Sequence, residues 1–320
     1  MFIDPARAGQ GAGTMTSPHR TLVTRGLIST VAIACLCTWV VACASDASDG
    51  AQTTAAAKTT TSAAAPTPTQ VDVDLVDYGF DAPSSVPAGV TTFTTHDSGK
   101  EQHELQIVKL NDGVTWADVE KTLHGPAPDA VAAMVTMMGG VAPVEVGGSA
   151  SVTVDLPAGS YGMLCFIPAA DGKSHMAHGM AKPLDVTAAK TGSAAAPTPK
   201  AKGDIVLDEM TVTLPEGFDG HGTWHIVNHG EQAHQAAIMQ LAPGKTRKDL
   251  DAYLTSPTPP AGAPPATVIG GGGAIAKGGE EWIDLDLDPA SYAFTCFVPD
   301  PQKGFLPHFM EGMLTEYQQT

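Results

Sequence analysis

Two stretches decide the reading of this chain: SVTVDLPAGSYGMLCFIP (151–168) and EWIDLDLDPASYAFTCFVP (281–299). Each begins with alternating apolar and polar residues, as a half-buried strand does. Each passes a Pro-containing turn and reaches a Ser-Tyr pair, Ser160-Tyr161 and Ser291-Tyr292. A second apolar run then ends in Cys-Phe-Ile/Val-Pro, at Cys165 and Cys296. From there both copies run to a His-x-x-x-Gly-Met, His175 to Met180 and His308 to Met313. The match extends upstream. GKEQHELQIVKL (99–110) aligns without a gap to GEQAHQAAIMQL (230–241), placing His103 opposite His234. The chain is an internal duplication, and His, Cys, His and Met recur in the same order in each copy.

Further out, VDVDLVDYGF (71–80) and GDIVLDEMTVTL (203–214) open the copies as alternating strands. Between the first His and the Cys lies a helical insertion. Thr115 is expected to cap a helix through Lys121, with a second helix over Pro128 to Met138. In the other copy a helix is expected over Thr246 to Leu254, followed by a Pro/Gly-rich stretch (257–279) in place of the second. Gly and Pro are plentiful, 34 and 25 residues, and charged residues make up only 16%. About seven short strands per copy, turn-rich and helix-poor, predict an all-β fold of two tandem Greek-key β-sandwiches, each with a short helical insertion. The domains are then 71–188 and 203–320, joined by a linker over 189–202.

The N-terminus reads as an export signal. Arg20 and Arg25 precede an apolar run from Gly26 to Ala42, which ends in Val40-Val41-Ala42-Cys43. A Cys directly after a small residue resembles the lipobox of bacterial lipoproteins, so residues 1–43 are expected to be signal plus lipidated Cys43. The competing reading, a transmembrane anchor, asks for a longer apolar run. Met15 is an alternative start to Met1. Residues 44–70, rich in Ala, Thr, Ser and Pro, lack the apolar mass to fold and read as a disordered tether. These features predict the extracytoplasmic face of a cell membrane, with a lipid anchor as the membrane contact. The full chain carries −17, and losing residues 1–42 removes three Arg and one Asp and makes it more acidic. Nucleic acid is a poor partner for such a protein.

Cys35 and Cys37 fall in the signal, which leaves Cys165 and Cys296 for the folded part. They hold equivalent positions, so a disulfide is not expected. One thiolate, two imidazoles and a thioether form the ligand set of a blue-copper site. The expected metal residues are therefore His103, Cys165, His175 and Met180 in the first copy, and His234, Cys296, His308 and Met313 in the second, with one copper per domain. His178 competes with His175, but its counterpart is Glu311. His221, His225 and His229 resemble a second metal cluster by ligand type, but without equivalents in the first copy they read as surface or strand residues, with an accessory metal as the alternative. Met176 and Met310 are expected to pack against the ligand loop.

With these residues in view, the sequence resembles the cupredoxins over both repeats. The Gly-x-x-x-His segment, with Asn228 two before its Gly, is similar to the region of their first His ligand. The wide Cys-to-His loop resembles copper nitrite reductases more than short-loop plastocyanins. Leu164 and Thr295, the residues before each Cys, depart from those enzymes, which carry a His there for another copper. The resemblance therefore implies no catalytic residues and no enzyme activity. It implies electron transfer with a redox protein partner. Copper storage or delivery, and a metal-free binding module, remain the alternatives.

Overall fold

The structure is a computed structural model that describes residues 65–320 except 193, 257, 259 and 260. The expected signal, Cys43 and most of the tether lie outside the described residues. Among the described residues no helix is long and apolar enough to cross a membrane.

The first copy supplies β1 (Thr69–Val76), β2 (Gly79–Asp81), β3 (Ser85–Pro87), β4 (Gly89–Asp97), β5 (His103–Leu110), α1 (Trp116–Leu123), β6 (Val135–Val144), β7 (Ser149–Leu156), β8 (Gly159–Leu164) and β9 (Ala181–Thr187). The second supplies β10 (Asp204–Asp208), β11 (Thr211–Thr213), β12 (His221–Asn228), β13 (Ala237–Leu241), α2 (Arg247–Leu254), β14 (Ala266–Gly271), β15 (Glu280–Asp286), β16 (Ser291–Thr295), β17 (Pro299–Asp300), β18 (Leu306–Pro307) and β19 (Leu314–Gln318). The fold is all-β, and each copy is a sandwich. In the first, β2-β1-β4-β7 faces β3-β9-β8-β5-β6; in the second, β11-β10-β12-β15 faces β14-β13-β16-β19.

Alternation sets the faces. On β1, Val71, Val73 and Leu75 point inward between exposed polar residues. On β12, Trp224 and Ile226 do the same. Strand β5 is buried on nearly every residue because it is covered on its outer side too. Val119 and Leu123 of α1, with Val131, pack on Val108, Leu110 and Leu164. In the second copy Leu250 and Leu254 of α2 cover Met239 and Leu241. Each helix starts at a reciprocal cap, Thr115 with Asp118 and Thr246 with Asp249. After each Pro turn the Tyr hydroxyl donates back to the backbone, Tyr161 to the Pro157 carbonyl at 2.8 Å and Tyr292 to that of Asp288 at 2.9 Å.

Two elements differ from expectation. The segment from Pro128 is a 3-10 helix only to Met134, and Val135–Val144 is strand β6. The Pro/Gly-rich stretch after α2 contains the equivalent strand, β14. Ala and Met give the first segment a helical composition, and glycines give the second a loop-like one. Glycines in both allow close strand approach. A Cβ on Gly140 would stand 2.0 Å from the Leu105 carbonyl oxygen, and one on Gly271 2.3 Å from that of Ala236.

The sandwiches share one sheet. Strand β7 pairs antiparallel with β15, Thr153 opposite Trp282 and Val152 opposite Ile283. This joins two four-stranded layers into a continuous eight-stranded sheet. Val141 and Gly272 form a second antiparallel bridge nearby. Val152 with Ile283 and Val141 with Gly272 are both pairs of equivalent positions. A contact in which a residue meets its own counterpart lies on a twofold axis, so the copies meet as an isologous pair. Gln106 fills the seam, donating to the Gly139 and Ala274 carbonyls at 2.8 and 2.9 Å and accepting from the Ala274 amide at 2.8 Å.

Candidate metal centres

Each centre is built by one piece of backbone repeated in both copies. Cys165 and Cys296 follow directly on β8 and β16. The Cys amide donates to the Met carbonyl, Cys165 to Met180 at 3.2 Å and Cys296 to Met313 at 3.3 Å. The His amide donates two residues past the Cys, His175 to Ile167 at 2.7 Å and His308 to Val298 at 2.9 Å. The Met amide donates to the His carbonyl, at 2.9 Å in the first copy and 3.1 Å in the second. A short 3-10 turn carries each His and closes on a left-handed glycine, Gly179 at φ 112° or Gly312 at φ 106°. The glycine is needed there because a side chain at such φ is strained. These bonds set Cys, His and Met on one tight loop, and all six of those side chains are fully buried.

The first His arrives from the strand beside the Cys strand in the same sheet, β5 beside β8 and β13 beside β16. His103 begins β5. His234 lies three residues ahead of β13, bridged to Ile275. In the second copy the ligand atoms converge: Nδ1 of His234 is 3.0 Å from Nδ1 of His308, and Sγ of Cys296 is 3.4 Å from that same His308 nitrogen. Among the described residues His234, Cys296 and His308 form a group whose ligand atoms all lie within 4.8 Å of one another. In the first copy Sγ of Cys165 is 3.5 Å from Nδ1 of His175. The His103 and His175 rings stand 5.0 Å apart at 56°, against 4.8 Å and 53° in the second copy. The placement is the same but the ring faces differ. A Cβ on Gly99 would meet Cε1 and Nδ1 of His103, whereas one on Gly230 would meet Nε2 and Cδ2 of His234. His103 turns its Nδ1 to Asp97, 3.1 Å away.

The donors fit a soft metal ion. Burial, with the neighbouring His234 ring, pushes His308 down to about 4, and burial likewise lowers His175 and His234. Burial raises the Cys296 thiol to about 12 and Cys165 well above its ordinary value. Such a cage favours neutral imidazoles, which are ready to ligate, and a thiol whose proton a cation would replace. The Nε2 atoms of His103, His175, His234 and His308 are buried without a hydrogen-bond partner. His175 Nε2 faces Glu101 at 3.5 Å, and His234 Nε2 faces Glu209 at 3.7 Å. Both cysteines are free. Met180 and Met313 are buried in the same core cluster as the two cysteines.

Two stacked sheets, a His from one strand and a Cys…His…Met loop from another define the type. The fold is cupredoxin-like. No protein-family model and no curated relative matches the sequence. Among solved structures, auracyanin from the photosynthetic bacterium Roseiflexus castenholzii is 23% identical over 38% of this chain and 99% of its own, at a TM-score of 0.28. Auracyanin B is 25% identical over 38% of this chain and 91% of its own, at 0.27. Copper nitrite reductase from Nitrosomonas europaea is 14% identical over 78% of this chain and 93% of its own, at 0.24.

Other residues of the two cupredoxin-like copies fall outside the centres. His178 is turned away, its Nε2 3.0 Å from Asp171. His221 and His225 share the outer face of β12 but bind different acids: His221 pairs with Asp286 at 2.8 Å, and His225 lies between Asp204 at 3.0 Å and Glu280 at 3.1 Å, stacked on Trp282. His229 lies past the strand's end. Met176 packs under the loop, but Met310 does not; it is 38% exposed, because Phe309, partly buried, takes the position equivalent to Met176. The sequence reading missed Asp97 and Glu104. Both are placed by the repeat itself, opposite Asn228 and Gln235. Glu104 and Gln235 do one structural job: Glu104 accepts from the Phe166 amide at 2.8 Å, Gln235 from the Phe297 amide at 3.0 Å. Burial pushes the Glu104 carboxyl up to about 7.

Proposed function

We propose that this chain is a copper protein that passes single electrons, with type 1-like centres at His103, Cys165, His175, Met180 and at His234, Cys296, His308, Met313. The observation that carries the reading is the convergence of two imidazole Nδ1 atoms and one thiol on a single buried point in the second copy. The first copy repeats the backbone bonds that tie its Cys, His and Met together. Copper, when bound, supplies a one-electron couple, and thiolate, imidazole and thioether suit both of its oxidation states. The protein's part is rigidity and dryness. The loop is fixed by its own backbone hydrogen bonds, so ligands keep their places between states, and the fully buried side chains exclude water. Leu164 and Thr295 beside the cysteines offer no ligand to a neighbouring copper, so the proposal includes no catalytic centre. A lipid on Cys43, with residues 44–70 as tether, would hold the protein at the extracytoplasmic face of the membrane. Its electron partner there would be another protein.

The test is the visible spectrum of residues 44–320 loaded with Cu(II). An intense Cys-to-copper band is expected. It should fall by about half in Cys165→Ser or Cys296→Ser and vanish in the double variant, as one thiolate per centre requires. A colourless protein with oxidised copper would sink the reading.

A further inference from the structure

One buried position beside each first His differs between the copies. Asp97 and Asn228 occupy it, both at the ends of equivalent strands, 2% and 1% exposed. Both accept from the glycine that follows two residues later, Gly99 to Asp97 Oδ1 and Gly230 to Asn228 Oδ1, each at 2.9 Å. Their other halves are used differently. Asn228 donates through Nδ2 to the carbonyls of Gln232 at 2.7 Å and Ile275 at 2.8 Å, which a carboxylate cannot do. Asp97 accepts the His103 backbone amide on Oδ2 at 2.9 Å and meets His103 Nδ1 at 3.1 and 3.2 Å. Every partner of Asp97 can donate, so its ionised form is fully satisfied. The first copy is built around a charge and the second around a neutral amide. The bond to the His103 backbone keeps the carboxylate in place whichever way that ring faces.

We propose that Asp97 sets the potential of the first centre below that of the second, so that electrons given to the protein reside first on the second. This rests on the copper reading above. Oxidised copper carries one more positive charge than reduced copper. A buried negative charge touching a ligand stabilises the oxidised form more, and little water screens it. The remaining acids fall on different histidines in the two centres, and Asp208 also acts on His234 in the second. Glu101 faces His175 in the first centre and Glu209 faces His234 in the second, both partly exposed. Asp300 also acts on His308 but is opposed there by Lys303. Glu104 adds to the acidity around Cys165 without touching a ligand ring. One electron moves between centres, and no bond is made or broken.

The test uses the full chain with one centre disabled at a time. Cys296→Ser isolates the first centre and Cys165→Ser the second, and each is titrated by spectroelectrochemistry. The first centre is expected at the lower potential. Asp97→Asn should raise it, and Asn228→Asp in the second centre should lower that one. In the wild type, a reductant added stepwise should bleach the second centre's band first. Equal potentials, a first centre above the second, or an Asp97→Asn shift of zero or downward sign would overturn the assignment while leaving the copper reading intact. If Asp97→Asn does not fold, the Asn228→Asp arm decides alone, and an unshifted second centre counts against the proposal. Two colourless single-centre proteins would instead remove the copper reading, and this inference with it.

Discussion

Four residues ahead of each first histidine stands a glycine whose reason is space. Gly230 is buried, and a Cβ there would lie 2.7 Å from His234 Nε2 and 2.9 Å from Glu209 Oε1. Glu209 is tied to the amides of Glu231 and Gln232, so the histidine is the group that must give way. Gly230→Ala should cost about 1–3 kcal/mol by overpacking. In a Cys165→Ser background it should also weaken copper uptake at the second centre, read as a smaller rise in Tm with added copper. At this scale the grouping of His234, Cys296 and His308 was legible. Cys, His and Met share one short loop, and local spacing survives translation from sequence to space. His178 could be set aside on the same ground, since its counterpart is Glu311. The ring orientation of His103 was not legible, because it depends on Asp97, which comes beside that ring only in the folded chain.

Among elements, the insertion helices show how local and non-local information divide. Their starts could be read from Thr-x-x-Asp, a purely local signal, and both form reciprocal caps. Thr246→Ala should cost α2 about 1 kcal/mol, seen as a lower urea midpoint with unchanged slope. The copper band should not move, since α2 packs on the outer face of its sheet. Strand β14 and the end of the second expected helix could not be read locally. Each becomes a strand because a glycine lets it press against β13 or β5, contacts that composition does not announce. The alternation of β1 and β7 was legible because one face of each meets solvent or polar neighbours. On β5 that signal fades, since α1 covers the face that would otherwise be polar.

For the whole molecule the informative residue is Glu281. It sits on β15 at the seam, accepting the Gly140 amide of the other copy at 3.0 Å, with its second oxygen unpartnered. Burial pushes its carboxyl from an ordinary 4.5 up to about 8. Between those pH values the folded chain keeps a proton that the unfolded chain has released. Raising pH through that window therefore costs stability, on the order of a few kcal/mol by linkage. Glu281→Gln should flatten that fall, so the gap in Tm between variant and wild type should widen from pH 5 to pH 8. A constant gap would mean the carboxyl is not held neutral at the seam. Nothing in the sequence pointed to Glu281 or Gln106, whose partners in the other copy lie 141 and 168 residues away.

The seam has one more consequence. Because each copy meets the other through the same positions, the duplicated chain is in physical terms a homodimer whose two subunits happen to be spliced end to end. The splice, residues 189–202, adds effective concentration but none of the seam's pairing. A protease site placed there should leave two fragments that co-elute as one particle and melt in a single transition. Either half expressed alone should display a raw strand edge, at β7 or at β15, and recruit a second copy of itself to cover it.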